Sequence, residues 1–128
     1  MDPITESMPF ARELGIEVVS AAREEVRGRL AYAERLCTAA GVMHGGALMA
    51  LADSVGALCA VLNLPEGAST STIESKTNFF RAVRGGHVDA VAHPLHVGRT
   101  TIVVQTDLAD ASGRRVAQVT QTQAVLHS

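Results

Sequence analysis

The sequence predicts an α+β domain in which an antiparallel sheet of about six strands wraps round one long central helix. Three observations carry this. Residues 45–62, Gly45-Gly46-Ala47-Leu48 through Val61-Leu62, hold a single charge, Asp53, so the helix they form belongs in a core rather than on a surface. Segments on both sides of it have strand composition, and one alternates cleanly between polar and apolar residues. Turns containing Gly or Pro separate those segments at regular spacing. A chain of 128 residues suits one domain, 1–128, with a core of modest size.

In chain order, residues 5–14 form a short helix that Gly15 ends as a C-cap. Ile16 to Ala22 and Glu25 to Tyr32 are two strands joined by a tight turn at Arg23-Glu24. In the second, Val26, Gly28, Leu30 and Tyr32 alternate with Glu25, Arg27, Arg29 and Ala31, the pattern of a half-buried strand. Glu34 to Met43 is a loop that delivers the chain to His44. In the helix that follows, Leu48, Leu51, Ala52, Val55, Cys59 and Leu62 share one face by the 3.6-residue period. Asp53 lies off that stripe among Met49, Gly56, Ala57 and Ala60, small side chains that admit a close neighbour. Asn63 to Ala68, with Pro65 and Gly67, end the helix. Ser69 to Phe80, His87 to His96, Thr100 to Leu108 and Arg115 to Leu126 are strands, expected as an antiparallel meander. One helix covers one face of such a sheet, so the other face is expected to carry apolar residues that oligomerisation covers.

Bulk properties exclude several classes. The net charge of −2 implies no general attraction to nucleic acid or membrane. Three Phe, one Tyr and no Trp make no stacking platform for single strands. Cys37 and Cys59 lack metal or redox spacing, and a cytoplasmic location fits them. Met1 to Glu6 lacks the basic start and apolar run of a signal peptide. Gly45 to Leu64 has the length to cross a bilayer, but a central Asp and bare ends favour a core helix. His93 and His96, three apart on a strand, are expected on opposite faces, and no metal site is expected.

Chemistry concentrates at the start of the long helix. An isolated carboxylate on an apolar helix is expensive unless something binds or uses it. No cation lies three or four residues from Asp53. Just upstream, His44-Gly45-Gly46 brings bare amides to a helix N-terminus, where negative charge is favoured. A buried base beside an anion-stabilising turn is the layout of a hydrolytic site. The alternative is that Asp53 meets a distant Arg and serves only the fold.

His44-Gly45-Gly46-x6-Asp53 resembles the helix-start motif of hotdog-fold thioesterases. Thr72 to Val83 resembles the strand after the helix in that superfamily. Pro94-Leu95-His96-Val97-Gly98-Arg99-Thr100 is similar to a segment of 4-hydroxybenzoyl-CoA and 1,4-dihydroxy-2-naphthoyl-CoA thioesterases. The likeness spans about residues 14–126, and the Asp at the motif position is closer to the phenylacetate-pathway branch. It implies that Asp53 activates water or attacks the thioester carbon, and that the Gly45 amide binds the carbonyl oxygen. It also implies a site between subunits of a homodimer or homotetramer. Two positions depart from the pattern. Thr38 stands where many relatives have Asn or Gln, and Ala57 where some have Ser or Thr. Thr72 is the candidate for a replacement hydroxyl.

Basic chemistry supports the same roles. A preset backbone donor on the developing oxyanion lowers a barrier by roughly 3 kcal/mol, and apolar surroundings make a carboxylate a better base. His44 is expected to brace the turn through its ring nitrogens, with substrate contact as the alternative, and Gly46 to lie at the anion. Met43, with Met49 and Leu36, is expected to line an acyl or aryl pocket. Arg81, Arg84, Arg99 and Thr100, at strand ends, are expected to hold the phosphates of an acyl-CoA or aryl-CoA. Coenzyme A is then part of the substrate, and no cofactor is implied. Two other readings stay open at this level: a non-catalytic acyl-CoA binding or sensing protein, and an enoyl-CoA hydratase relative using His44 with the acid.

Overall fold

The computed structural model describes residues 6–128, so the expected helix start at residue 5 lies outside them. Helix α1 (Pro9–Leu14) begins on a proline, whose missing N–H costs nothing in a first turn, and stops at Gly15 in the left-handed region. Strands β1 (Glu17–Ala21) and β2 (Val26–Ala31) form the expected hairpin. Ala22 and Glu25 exchange backbone bonds of 2.9 and 3.2 Å across Arg23-Glu24. Val26, Gly28 and Leu30 are buried while Arg27, Arg29 and Ala31 are exposed. Two single 3-10 turns, Glu34–Leu36 and Ala39–Gly41, shape the loop before helix α2 (Gly45–Leu62). Strands β3 (Ser69–Phe79), β4 (His87–Val97), β5 (Thr101–Asp110) and β6 (Arg115–Leu126) complete the chain.

All six strands belong to one antiparallel sheet in the order β1-β2-β4-β5-β6-β3. The expected meander therefore holds only for β4, β5 and β6. β3 pairs with β6 at the far edge, and β4 returns to pair with β2. Residues 80–86 make that crossing. Val83 is buried on the way, and its carbonyl accepts the Met43 N–H at 2.8 Å, which ties the crossing to the chain just ahead of α2. With strands reaching it from both sides, the sheet curls round α2, which touches β2 through β6.

The core follows the predicted stripe. Leu51, Ala52, Val55 and Cys59 are wholly buried, with Leu48 nearly so. α2 has the length and hydropathy of a bilayer span, and here those side chains face the sheet. Gly28 sets how closely α2 approaches β2. A Cβ there would stand 2.5 Å from Val55 Cγ2 and 3.2 Å from the Glu17 carbonyl oxygen. Cys59 sits in this layer, and burial pushes its thiol up to about 11.

The outer sheet face differs from expectation. Its half-exposed positions on β5 and β6 are mainly Thr101, Gln105, Asp107, Gln118, Thr120 and Thr122, so it is polar and does not demand a cover. One group of uncovered apolar residues lies on α2 and on and after β3: Met49, Val61, Ile73, Phe79 and Phe80; Phe10, Val19, Leu95, Val97 and Leu126 are exposed singly or at strand ends. A bulge also corrects the placement of two histidines. The register of β4 shifts between Pro94 and His96, so His93 opposes Gln105 and His96 opposes Val103. Both partners face outward, and so do both histidines. No group of three or more metal-ligating side chains occurs among the described residues.

Candidate active site

α2 opens on a turn that sorts its amides. His44 is the N-cap in extended conformation, and its Nδ1 accepts the Gly46 N–H at 2.7 Å. The ring thus braces the turn, and the Gly46 amide is already engaged. This corrects the expectation that Gly46 offers its amide to a ligand. The His44 N–H donates to the Leu36 carbonyl at 2.8 Å. Between them, the Gly45 N–H has no partner among the described residues. It is one of the orphan donors every helix start leaves, with the helix dipole behind it.

Gly45 opens into a cleft of about 350 Å³ lined by Thr38, Met43, Leu48, Phe79, Phe80 and Arg81 among others. The Phe79 ring lies directly over Gly45, since a Cβ on that glycine would be 3.1 Å from Phe79 Cζ. Met43 is 2% exposed and Thr38 is exposed. Through Arg81, Ala82 and Val83 the cleft continues into a second of about 570 Å³, bordered by Arg84, Gly85, Gly86, Asp110, Ser112 and Arg114. Arg84 donates to the Ala40 carbonyl at 3.2 Å. Arg114 is held by Asp110 at 3.1 Å. Hydrogen bonds from the Ser112 hydroxyl and the Arg114 backbone N–H hold the Asp110 carboxyl at about 2. Leu36 and Met49, the other expected lining residues, lie outside the cleft at Gly45. Leu36 borders a separate hollow with Phe10 and His44.

Asp53 lies farther along α2 and, in the single chain, is exposed rather than covered on most sides. Its flank of α2 is open because β3 ends the sheet there. The carboxylate is tethered without a cation: among the described residues no salt bridge involves it. Oδ1 accepts from the Thr72 hydroxyl at 3.3 Å and from Gln121 Nε2 at 3.2 Å. Gln123 Nε2 donates to Thr72 Oγ1 at 2.8 Å. Oδ2 has no partner among the described residues. Thr72, expected to replace the hydroxyl that Ala57 lacks, therefore sits on the carboxylate. Gln121 and Gln123 were not foreseen. Their signal was there: they occupy two successive inward positions of β6, after Val119 and before Val125, where valines would be expected.

Two separations decide what one chain can do. Gly45 and Asp53 are eight residues apart on α2, about 12 Å at the α-helical rise. A single carbonyl cannot touch both. Arg99 and Thr100 lie in the β4–β5 turn, whereas Arg81 and Arg84 precede β4. The 11 residues of β4 put about 30 Å between the two groups. The structure thus separates the expected phosphate-binding set into two ends of the sheet.

A sheet curled round a helix with a free amide at its mouth and an unpaired acid on its flank has the form of a hotdog-fold hydrolase. Residues 40–117 match the family model of the Thioesterase superfamily, and the chain belongs to that superfamily. A thioesterase from Haemophilus influenzae, solved by crystallography, superposes with a TM-score of 0.88 and 30% identity over 92% of this chain and 82% of that one. The proofreading thioesterase EntH of Cronobacter turicensis is 30% identical over 83% of this chain and 77% of its own length. The 1,4-dihydroxy-2-naphthoyl-CoA hydrolase of Escherichia coli is 34% identical over 67% of this chain and 63% of its own. The chain is an enzyme with thioesterase activity.

Proposed function

We propose that this thioesterase hydrolyses acyl-CoA or aryl-CoA thioesters at a site shared by two copies of the chain, with Gly45 from one and Asp53 from the other. The observation that carries this is the pair on α2: a free N-terminal amide and a tethered, uncharged-partner carboxylate about 12 Å apart. Each is half of a hydrolytic site, and neither completes the other within a chain. The edge strand β3 supplies a way to join them. Antiparallel pairing of β3 with β3 of a second copy, Ser75 opposite Ser75, sets Glu74 against Lys76 twice. Opposite charges at facing positions stabilise such a pair. The same register brings the Thr72 end of one strand beside Asn78–Phe79 of the other, and so Asp53 of the second copy toward Gly45 beneath Phe79. It also returns Arg99 and Thr100 of the second copy to the end of the sheet that holds Gly45, Arg81 and Arg84.

In this site the Gly45 N–H holds the thioester carbonyl oxygen, and Thr38 borders the same cleft. Asp53 Oδ2 takes a proton from water, and the oxygen of that water bonds to the carbonyl carbon. Negative charge moves to the oxygen under the Gly45 amide. When the carbonyl re-forms, the C–S bond breaks, and the carboxyl returns its proton to the departing thiolate. Attack by Asp53 itself, followed by hydrolysis of the anhydride, uses the same geometry. Met43, Leu48, Phe79 and Phe80 suit an apolar acyl or aryl group, and the arginines suit the nucleotide phosphates. The chemistry needs no cofactor, and a cytoplasmic pool of CoA esters would supply the substrate. The Escherichia coli relative, named for an aryl-CoA, supports testing aryl esters first. A panel of acyl- and aryl-CoA esters is assayed by thiol release with wild type and Asp53→Asn. Loss of about a hundredfold or more in kcat is expected for Asp53→Asn; unchanged turnover would remove Asp53 from the chemistry.

A further inference from the structure

Gln121 and Gln123 are 0% and 1% exposed, and with Thr106 they are the buried polar side chains among the described residues of a core otherwise apolar. Burying a primary amide costs free energy unless both ends are bonded, and here that is only partly so. Gln121 Oε1 and its buried neighbour Thr106 Oγ1 have no hydrogen-bond partner among the described residues. Packing alone would favour an apolar residue at position 121. The helix is even thinned to admit the amide: a Cβ on Gly56 would collide with Gln121 Oε1 and lie 3.2 Å from Thr106 Oγ1. What the arrangement achieves is at the other end of the side chain, where Gln121 Nε2 reaches Asp53 Oδ1. Gln123 acts one position along. Its Nε2 occupies a lone pair of Thr72 Oγ1 at 2.8 Å, and its Oε1, at 3.1 Å, shares the Thr70 hydroxyl with the Ala124 carbonyl at 2.8 Å. With that lone pair used, the Thr72 hydroxyl hydrogen is left to point at Asp53 Oδ1.

We propose that Gln121 and Gln123 are positioning residues of the thioesterase: two buried amides that fix Asp53 by its Oδ1, directly and through Thr72, so that Oδ2 alone faces the reacting water. This rests on the reading of Asp53 as the catalytic carboxylate. Both donors converge on one oxygen, so rotation of the carboxylate about Cβ–Cγ would break two bonds at once. Neither glutamine touches substrate, so both act on kcat through Asp53.

Gln121→Met and Gln123→Met keep the length of the side chain and remove its donor. With a CoA ester that wild type turns over, each should lower kcat by about tenfold with KM within about twofold. For Gln121→Met the thermal midpoint should stay level or rise, because the unpartnered Gln121 Oε1 leaves; for Gln123→Met, whose amide is bonded at both ends, it should fall, and there the split between kcat and KM carries the test. In the Asp53→Asn background neither substitution should lower the residual rate further, because the group they position is gone. A merely structural role predicts the reverse: a lower midpoint for Gln121→Met, and, for either variant, losses that multiply with Asp53→Asn. Should Gln121→Met fail to fold, Gln123→Met, which leaves the contact with Gly56 intact, carries the same test. Wild-type kcat in the glutamine variants beside an inactive Asp53→Asn overturns this proposal alone. Wild-type kcat in Asp53→Asn overturns the catalytic reading with it.

Discussion

Mixing Gly45→Pro with Asp53→Asn should restore activity that neither variant has alone. Gly45 is the first residue of α2, a position where proline is common because its N–H makes no helical bond. His44, at φ −62° and ψ 134°, already has the extended conformation a following proline requires. The substitution therefore deletes the amide proposed to hold the oxyanion and leaves the helix; only the exposed Phe79 ring, 3.1 Å from the new Cβ, must give a little. Loss of one such donor lowers kcat by about a hundredfold to a thousandfold. When the two variants are unfolded and refolded together, random pairing makes about half of the dimers mixed. Each mixed dimer holds one site with both groups intact and one with neither. The mixture should recover about a quarter of the wild-type rate per chain, some tens of times above either parent. Thiol release from a CoA ester, with the dimer fraction checked by light scattering, reads this directly. A mixture no more active than the average of its parents would refute the split of the site between chains.

Three further outcomes follow from the same coordinates. Glu74→Lys sets like charges against Lys76 of the second copy and should shift the assembly toward monomer in sedimentation; adding Lys76→Glu should restore it, and failure of that rescue would reject the β3 register. Gly28→Ala forces a methyl against Val55 Cγ2 at 2.5 Å and should lower unfolding free energy by about 1–3 kcal/mol in urea, whereas unchanged stability would mean α2 shifts freely on β2. Asp110 accepts from the Ser112 hydroxyl, Ser112 N–H and Arg114 N–H at 2.8, 3.0 and 2.9 Å, and its carboxyl is lowered from 3.8 to about 2. The folded value lies below the unfolded one, so the stabilisation is full above 3.8 and fades as pH falls through about 2. Asp110→Asn should thus lower the thermal midpoint at pH 7 and converge on wild type in acid; a constant gap would reject the assignment.

What could be read from the chain was local. The alternation in Val26 to Leu30, the stripe from Leu48 to Cys59 and the turn at Arg23-Glu24 are set by neighbours a few residues apart, and each appears where the pattern placed it. The place of β3 was not legible, because Ser69–Phe79 carries no mark of which edge it will join. Its exposure at both faces is a product of that choice. The bulge in β4 reversed one inference outright, since a single extra residue at Leu95 moved His96 onto the face of His93. Grouping Arg81, Arg84, Arg99 and Thr100 as one phosphate-binding set likewise joined residues that an 11-residue strand holds apart.

At the site, the bracing His44 and the free Gly45 amide were legible because both are decided within three residues, whereas Gly46, expected at the anion, has its amide taken by His44 Nδ1. The surroundings of Asp53 were not, because they come from β3 and β6, 19 and 68 residues downstream. Two glutamines at inward positions of β6 broke the apolar pattern and could have been flagged as buried polar groups awaiting a partner. A lone acid on an apolar helix and a pair of amides on an apolar strand are the same anomaly seen from two sides. Each is unfavourable alone. Together they form a donor–acceptor set in which Gln121 directly and Gln123 through Thr72 supply hydrogens to Oδ1 of the carboxylate, and Oδ2 is the oxygen left without a partner among the described residues. An apolar core that keeps such a set, with a glycine opposite to make room, has given up packing for the orientation of one carboxylate.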